Sequence, residues 1–164
     1  MPQEVPAHDV AAVTSFGAMT DELGFHLRRV QVAAFKHFAQ SVTAVESITP
    51  GLYGMLQVIA NNPGLSQSAL AIAMDVDRSS IVKVIDQLEE KGLIVRDATP
   101  ADRRRYQLRL TDAGTLALKR IQKAVMRQDQ AFSARLDATE RATLIALLKR
   151  LYQSETSIPA AARE

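Results

Sequence analysis

Residues able to contact nucleic acid are concentrated between positions 78 and 87 of this 164-residue sequence. Helical spacing places Ile81 and Ile85 on one face of the segment. The opposite face carries Arg78, Ser79, Val82, Lys83 and Gln87. Basic, hydroxyl and amide side chains hydrogen-bond base edges and phosphates, and valine can contact thymine methyl groups. The same residue types cover ordinary solvated helices, so this face alone is compatible with either role.

The densest basic run is formed by Arg103, Arg104 and Arg105. It belongs to a polar segment whose residue types favour turns, namely Asp97, Thr99, Pro100 and Asp102. We therefore expect an exposed loop at the tip of a β-hairpin. Arginines at such a tip can enter a narrow minor groove, where the negative potential of DNA is strongest.

Apolar periodicity and capping residues predict the helices that position these side chains. We expect helices at residues 16–38, 50–61, 67–74, 78–91 and 112–132, and a last one after residue 137. The expected N-caps are Thr49, Ser66, Asp77, Thr111 and Asp137, the last with Glu140 in a capping box. Gly92 ends the fourth helix, and the tail from Ser157 is expected to fray.

Two short strands follow the fourth helix. Residues 93–96 form the first, and Tyr106, Leu108 and Leu110 alternate with polar residues in the second. Two helices joined by a tight turn at Asp75, followed by a hairpin, predict a winged helix-turn-helix. The fold class is thus mainly α with a small β-hairpin.

Composition restricts the other possibilities. The chain has no cysteine, which excludes disulfides and thiolate chemistry and is typical of a reducing cytoplasm. No apolar run approaches the length of a membrane span, and the amino terminus does not resemble a secretory signal. The net charge is only +2, so the placement of charge matters more than its sum.

The first and last helices carry more apolar surface than a small winged helix covers. Apolar stripes near both ends of a chain either pack together within that chain or meet a symmetry mate. We expect pairing of two copies through Phe16, Leu23, Leu144, Leu147, Leu148 and Leu151. The predicted organisation is an arm and first dimerisation helix at 1–47, a DNA-binding lobe at 48–111, and dimerisation helices with a frayed tail at 112–164. Such a homodimer would bind a pseudo-palindromic site on double-stranded DNA.

Several ordered segments of the sequence resemble the MarR family of bacterial transcription regulators. These segments are residues 48–50 with Leu56, residues 63–71 and residues 77–94. The wing sequence Asp102-Arg103-Arg104-Arg105 is followed by Leu108-Arg109-Leu110-Thr111-Asp112-Ala113-Gly114, which looks like the family's Leu-Thr-x-x-Gly helix start. The resemblance spans Leu23 to Leu151. It departs from the family at Asp75, where glycine or asparagine is frequent, and at Val82, where a hydroxyl residue is frequent.

The resemblance implies roles for individual residues. Arg104 would reach the minor groove, and Asp102 would hold the wing arginine by a charge-assisted hydrogen bond. Contacts to phosphate and bases are implied for Ser66, Gln67, Arg78, Ser79, Ser80 and Lys83. The resemblance also implies a repressor that a small phenolic or aromatic carboxylate effector releases from DNA.

A pocket for such an effector is expected between the first and second helices. Its candidate residues are Phe25, His26, Arg29, Tyr53 and Met55, where Arg29 or His26 could receive an anionic group. Helix packing and surface charge are the alternative roles of the same residues. No cofactor is expected, and no metal site, because His26 and His37 lie eleven residues, or about 16 Å, apart on one helix and cannot share a metal ion.

Two other functions stay open at this point. A winged helix can serve protein contact without binding DNA, although a basic wing argues against that use. A small enzyme could use His26 or His37 as acid or base, but the sequence has no second catalytic group at a recognisable spacing.

Overall fold

The computed structural model describes residues 15–99 and 102–155. Within these ranges, the side chains of residues 45, 99, 102–105, 154 and 155 are outside the description. The chain divides into two compact units at residues 1–36 and 37–164, and each is described by itself. The tail expected to fray from Ser157 lies outside the described residues.

The first unit contains a 3-10 helix, Gly17–Asp21, and most of helix α1, Leu23–Phe38. The prediction of one continuous helix from Phe16 was therefore wrong for its first turns. Gly17 has a φ of 54°, a left-handed conformation that interrupts a right-handed helix. Glu22 is extended and separates the two elements. The interruption folds Phe16 back onto Phe25, with ring centroids 5.2 Å apart.

The second unit begins with the end of α1 and continues through the remaining elements. A π-helical turn, Ala39–Thr43, and a short α2, Ala44–Glu46, are followed by α3, Pro50–Asn61, β1, Leu65–Ser66, α4, Gln67–Ala73, and α5, Arg78–Glu90. Next come β2, Ile94–Thr99, β3, Asp102–Leu110, α6, Asp112–Phe132, and α7, Ala138–Glu155. The mainly helical winged helix-turn-helix is confirmed.

The expected helix caps are present. Side chains of Thr49, Ser66, Asp77 and Thr111 each accept a hydrogen bond from a backbone N–H in the first turn of their helix. Before α7, the Asp137 side chain accepts a hydrogen bond from the Glu140 N–H at 2.9 Å, and the Glu140 side chain accepts one from the Asp137 N–H at 2.9 Å. Each cap uses backbone donors that the helix itself leaves unpaired. The helix starts were therefore readable from local sequence.

The wing differs from its prediction in two respects. The sheet has three strands in the order β1-β3-β2, because Leu65 pairs with Leu108 and Ser66 with Gln107. The backbone of Arg103, Arg104 and Arg105 lies in β3 rather than in an exposed loop. Cross-strand pairing continues to the positions of Thr99 and Asp102, so both of these residues lie in strands rather than in the predicted loop.

The core of the second unit is formed by apolar faces of the helices and the inward residues of the wing. Its fully buried large side chains are Val42, Ile48, Leu56, Ile59, Leu70, Ile81, Ile85, Leu88, Ile94, Leu108 and Ile121. Burying a side chain of this size stabilises the fold by about 1.5–3 kcal/mol. One core therefore holds α3, α4, α5, α6 and the sheet together. None of the described helices is both long and apolar enough to cross a membrane.

Candidate nucleic-acid interface

A tight turn joins α4 to α5. The Met74 N–H donates to the Leu70 carbonyl at 3.0 Å, and the Val76 N–H donates to the Ala71 carbonyl at 3.0 Å. Asp75 has a φ of 49°, in the left-handed region. Aspartate tolerates this conformation better than most residues, though less well than glycine. The turn thus accepts aspartate where the family often has glycine or asparagine.

The amino terminus of α5 is held by Asp77. Its Oδ1 accepts from the Ser79 hydroxyl at 2.5 Å and from the Ser80 N–H at 2.9 Å. The hydrogen bond from the Ser79 side chain, followed by those from Ser80, holds the pKa of Asp77 well below its ordinary value. Asp77 is therefore ionised at neutral pH, and its cap fixes the first turn of α5.

Helix α5 separates a buried face from an exposed face. Ile81, Ile85 and Leu88 have no exposed surface. The predicted contact residues Arg78, Ser79, Val82, Lys83 and Gln87 are all exposed, and Ser80 is half-buried. The exposed fraction of Val82 is 38%, which leaves its methyl groups open to a thymine methyl. One rigid helix thus carries basic, hydroxyl, amide and methyl groups on the face away from the core.

Arg96 of β2 connects the wing to α5. Its guanidinium pairs with Asp86 and, at 3.1 Å between Nη1 and Oε2, with Glu89. The side chain of Arg96 is only 21% exposed, so the pairing is less screened by water than a surface ion pair. This bridge was not predicted from the sequence. Its available signal was an arginine at the end of a strand preceded by two acidic residues three apart on one helix face.

Strand β1 connects the start of α4 to the wing. Ser66 belongs to β1 and also caps α4, since its Oγ accepts from the Ala69 N–H at 3.1 Å. Its pairing with Gln107 of β3 places the first turn of α4 beside the wing strand. The predicted contacts Ser66 and Gln67 therefore lie next to β3. Ser66 is exposed and Gln67 is half-buried.

The wing itself is a paired strand ribbon with a cross-strand ion pair. Arg109 Nε lies 3.0 Å from Asp97 Oδ2, and both side chains are at least half exposed. The predicted wing residues Asp102, Arg103, Arg104 and Arg105 occupy the first four positions of β3, and their side chains are outside the description. The ribbon continues the antiparallel pairing from the core at Leu108 toward these four residues.

The base of the wing is fixed by a close backbone contact. The Thr111 hydroxyl donates to the Gly92 carbonyl at 2.7 Å, and the Thr111 N–H donates to the Leu93 carbonyl at 3.1 Å. A Cβ on Gly114 would lie 1.9 Å from the Leu93 carbonyl oxygen. Only glycine permits this approach, which gives a physical reason for the Leu-Thr-x-x-Gly pattern. Gly92, with a φ of 66°, turns the chain from α5 into β2.

The predicted effector residues divide between the two units. In the first unit, Phe25, His26 and Arg29 lie together: His26 packs edge-on against Phe25, and Arg29 lies over the Phe25 ring. In the second unit, the Tyr53 hydroxyl accepts from the Gln57 side chain at 2.7 Å, and Met55 is buried in the core. Three of the predicted effector residues therefore lie in the first unit, and the other two lie in the second.

The predicted dimerisation residues are mostly exposed. In the first unit, Phe16 and Leu23 are 43% and 58% exposed. On α7, Leu144, Leu147 and Leu151 are exposed and Leu148 is half-buried. The His37 ring packs at a tilt of 52° against the Phe132 ring, with ring centroids 5.8 Å apart. Across the described residues, no group of three or more His, Asp or Glu is arranged to hold a metal ion.

Comparison with known proteins identifies the family. The MarR family model matches residues 48–106, which contain α3, α4, α5, β2 and the first part of β3. A protein of Thauera aromatica named as a transcriptional regulatory protein for the hcr operon is 67% identical over 159 residues, which cover 97% of this chain and 96% of the relative. The chain belongs to the MarR family. Its relatives and the structures that share its fold are transcriptional regulators rather than enzymes, which identifies the chain as a transcriptional regulator.

Solved MarR-family structures superpose on most of the chain. The transcriptional repressor CouR bound to a 23-mer DNA duplex has a TM-score of 0.80 at 31% identity and covers 85% of this chain and 98% of its own. CouR bound to p-coumaroyl-CoA has a TM-score of 0.77 at 30% identity, covering 84% and 96%. PcaV of Streptomyces coelicolor in complex with its natural ligand has a TM-score of 0.76 at 30% identity, covering 87% and 99%.

Proposed function

We propose that this MarR-family regulator is a homodimeric, sequence-specific DNA-binding repressor that an aromatic acid or its thioester releases from its operator. The observation that carries the DNA assignment is the exposed face of α5, opposite a fully buried apolar face. A helix whose orientation is fixed on one side can present its other side to the major groove without reordering. The similarity to CouR bound to a DNA duplex supports the same assignment.

The base contacts belong to the exposed face of α5. Arg78, Lys83 and Gln87 supply donors for phosphates and base edges, and Val82 supplies methyl groups for thymine. The Ser79 hydroxyl already donates to Asp77, so its oxygen faces DNA as an acceptor. In the proposed complex, Arg104 of β3 contacts the minor groove, with Arg103 and Arg105 as its neighbours in the sequence.

The dimer is formed by the exposed apolar residues of α1 and α7. Exposed leucines on two helices are costly in water and are covered when two copies of the chain pair. A two-fold dimer places two α5 helices about 34 Å apart, one turn of DNA. The operator is therefore a pseudo-palindrome with half-sites one helical turn apart.

The effector acts on the spacing of the two α5 helices. A ligand that binds the free dimer better than the DNA-bound dimer by about 1–3 kcal/mol lowers DNA affinity roughly 5- to 150-fold. An aromatic acid or thioester is supported by the CouR complex with p-coumaroyl-CoA. Phe25, His26 and Arg29 supply aromatic and polar groups for such a ligand.

Binding of DNA from beside the gene tests the proposal. We expect the protein to bind this DNA specifically by fluorescence anisotropy, and benzoates, cinnamates or their CoA thioesters to release it. Thermal shift with the same compounds locates the active ligand, because a bound ligand raises the melting temperature. Specific DNA binding with no response to any compound would contradict the ligand class alone. Absence of specific DNA binding would contradict the regulator's assignment as a repressor acting at that site.

A further inference from the structure

The exposed side of α1 contains a groove lined mainly by cations. Arg28, Arg29, Val32, Ala33 and Lys36 line a groove of about 390 Å³. Their spacing of one, four, five and eight residues places them on one helix face. Along the helix, Val32 and Ala33 lie between Arg28 and Arg29 on one side and Lys36 on the other. Arg28 and Lys36 are separated by about 12 Å along the helix axis.

The charge of this groove is not neutralised by nearby carboxylates. Within residues 15–99 and 102–155, Arg28, Arg29 and Lys36 form no ion pair with an acidic side chain. Three cations on one short face repel each other and raise the local positive potential. An anion with more than one charged group, long enough to contact both ends, would relieve this repulsion.

Arg29 is also held in place before any ligand binds. Its guanidinium carbon lies 5.5 Å from the Phe16 ring centroid and 5.9 Å from that of Phe25. Cation–π contact with two rings orders a side chain that is otherwise flexible, so less entropy is lost when it binds an anion.

We infer that this α1 face binds the nucleotide phosphates of a coenzyme A thioester, and that the thioester rather than the free acid is the effector. The inference rests on the proposed function and specifies its ligand. Coenzyme A combines a pyrophosphate with a ribose phosphate, which suits cations separated along one helix face. A free aromatic carboxylate has one anionic group and reaches only one end of the groove.

Calorimetric titration of matched ligands tests the inference. The probes are benzoyl-CoA and p-coumaroyl-CoA, each compared with its pantetheine thioester, which lacks the nucleotide, and with the free acid. The proteins are the wild type, the double variant R28Q/K36Q, and the control K123Q/R127Q. The control removes the same charge from two exposed residues of α6. DNA affinity without any effector is measured for all three proteins.

We expect at least one CoA thioester to bind the wild type about tenfold or more tightly than its pantetheine thioester. R28Q/K36Q should abolish that difference without changing the affinity for the pantetheine thioester or for DNA, and K123Q/R127Q should preserve it. Equal binding of the two thioesters, no binding of either CoA thioester, or loss of DNA affinity in R28Q/K36Q would overturn the inference. Release of DNA by free acids alone would do so while leaving the proposed function intact.

Discussion

The DNA-binding lobe differs from the first and last helices in how completely its apolar and polar groups are paired within one chain. In the lobe, α5 has one face in the core, a capped amino terminus and an ion-pair bridge to β2. In contrast, α1 and α7 leave leucines such as Leu23 and Leu147 exposed at 58% and 49%. The position of α5 in the lobe is therefore fixed by contacts within a single chain. The exposed leucines of the two outer helices are the surfaces that the proposed dimer would cover.

The largest expected effect concerns the base of the wing. Gly114→Ala places a methyl group within 1.9 Å of the Leu93 carbonyl oxygen, so the wing and α6 must separate. We expect a loss of about 2–4 kcal/mol in the free energy of unfolding, measured by urea denaturation. The control is Gly51→Ala in α3, where a Cβ meets nothing within 4 Å. That variant should be unchanged or gain up to about 1 kcal/mol. Equal stability of the two variants would refute the close contact.

The next effect tests whether the outer helices pair. Leu147→Asp introduces a charge on the exposed apolar face of α7, and we expect dimer affinity to fall by about 2 kcal/mol or more. Sedimentation equilibrium at micromolar concentration measures the change. Leu116→Asp alters a similarly exposed residue of α6 outside the proposed interface and should leave the dimer intact. A monomeric wild type would contradict the proposed difference between the two regions.

The two arginine bridges of the wing should differ in strength. Arg96→Met removes a largely buried partner of Asp86 and Glu89, and we expect a loss of about 1–2 kcal/mol in stability together with weaker DNA binding. Arg109→Met breaks an exposed pair with Asp97 and should cost about 0–1 kcal/mol. Chemical denaturation of both variants compares them directly. A larger loss for Arg109→Met would show that Arg96 does not tie α5 to β2.

The smallest effect is the pH dependence of the α5 cap. Because the pKa of Asp77 is lower in the folded chain than its ordinary value of 3.8, the unfolded chain binds more protons in acid. The cap's contribution is therefore present above about pH 4 and declines as the pH falls below the unfolded value. Denaturation from pH 7 to pH 3 should show a steeper loss for the wild type than for Asp77→Asn. Parallel curves would contradict the cap.

Features governed by neighbouring residues were predictable from the sequence, whereas features governed by distant backbone contacts were not. Thr49, Ser66, Asp77 and Thr111 cap helices through their own first turns, so residue type and position suffice. Strand β1 arises because Leu65 pairs with Leu108, more than forty residues away, and no local pattern indicates that pairing.

Within the candidate interface, the exposed contact residues could be predicted from the sequence, whereas the long-range contacts that hold their helix and strand in place could not. The exposed face of α5 followed directly from helical periodicity around Ile81 and Ile85. The Arg96 bridge and the contact between Gly114 and Leu93 required the three-dimensional arrangement of a strand and two helices. The positive φ of Gly17, which folds Phe16 onto Phe25, was likewise invisible in the apolar periodicity of the first helix.

The salt dependence of DNA binding directly tests whether α5 and the wing contact DNA. Anisotropy titrations with the operator over a range of salt concentrations give the slope of log affinity against log salt for the wild type, Lys83→Ala and Arg104→Ala. If α5 and the wing contact phosphates in both copies of a dimer, each variant should bind more weakly and its slope should be less steep by about 2. Lys123→Ala on α6 should match the wild type. Wild-type affinity and slope in both Lys83→Ala and Arg104→Ala would contradict the account.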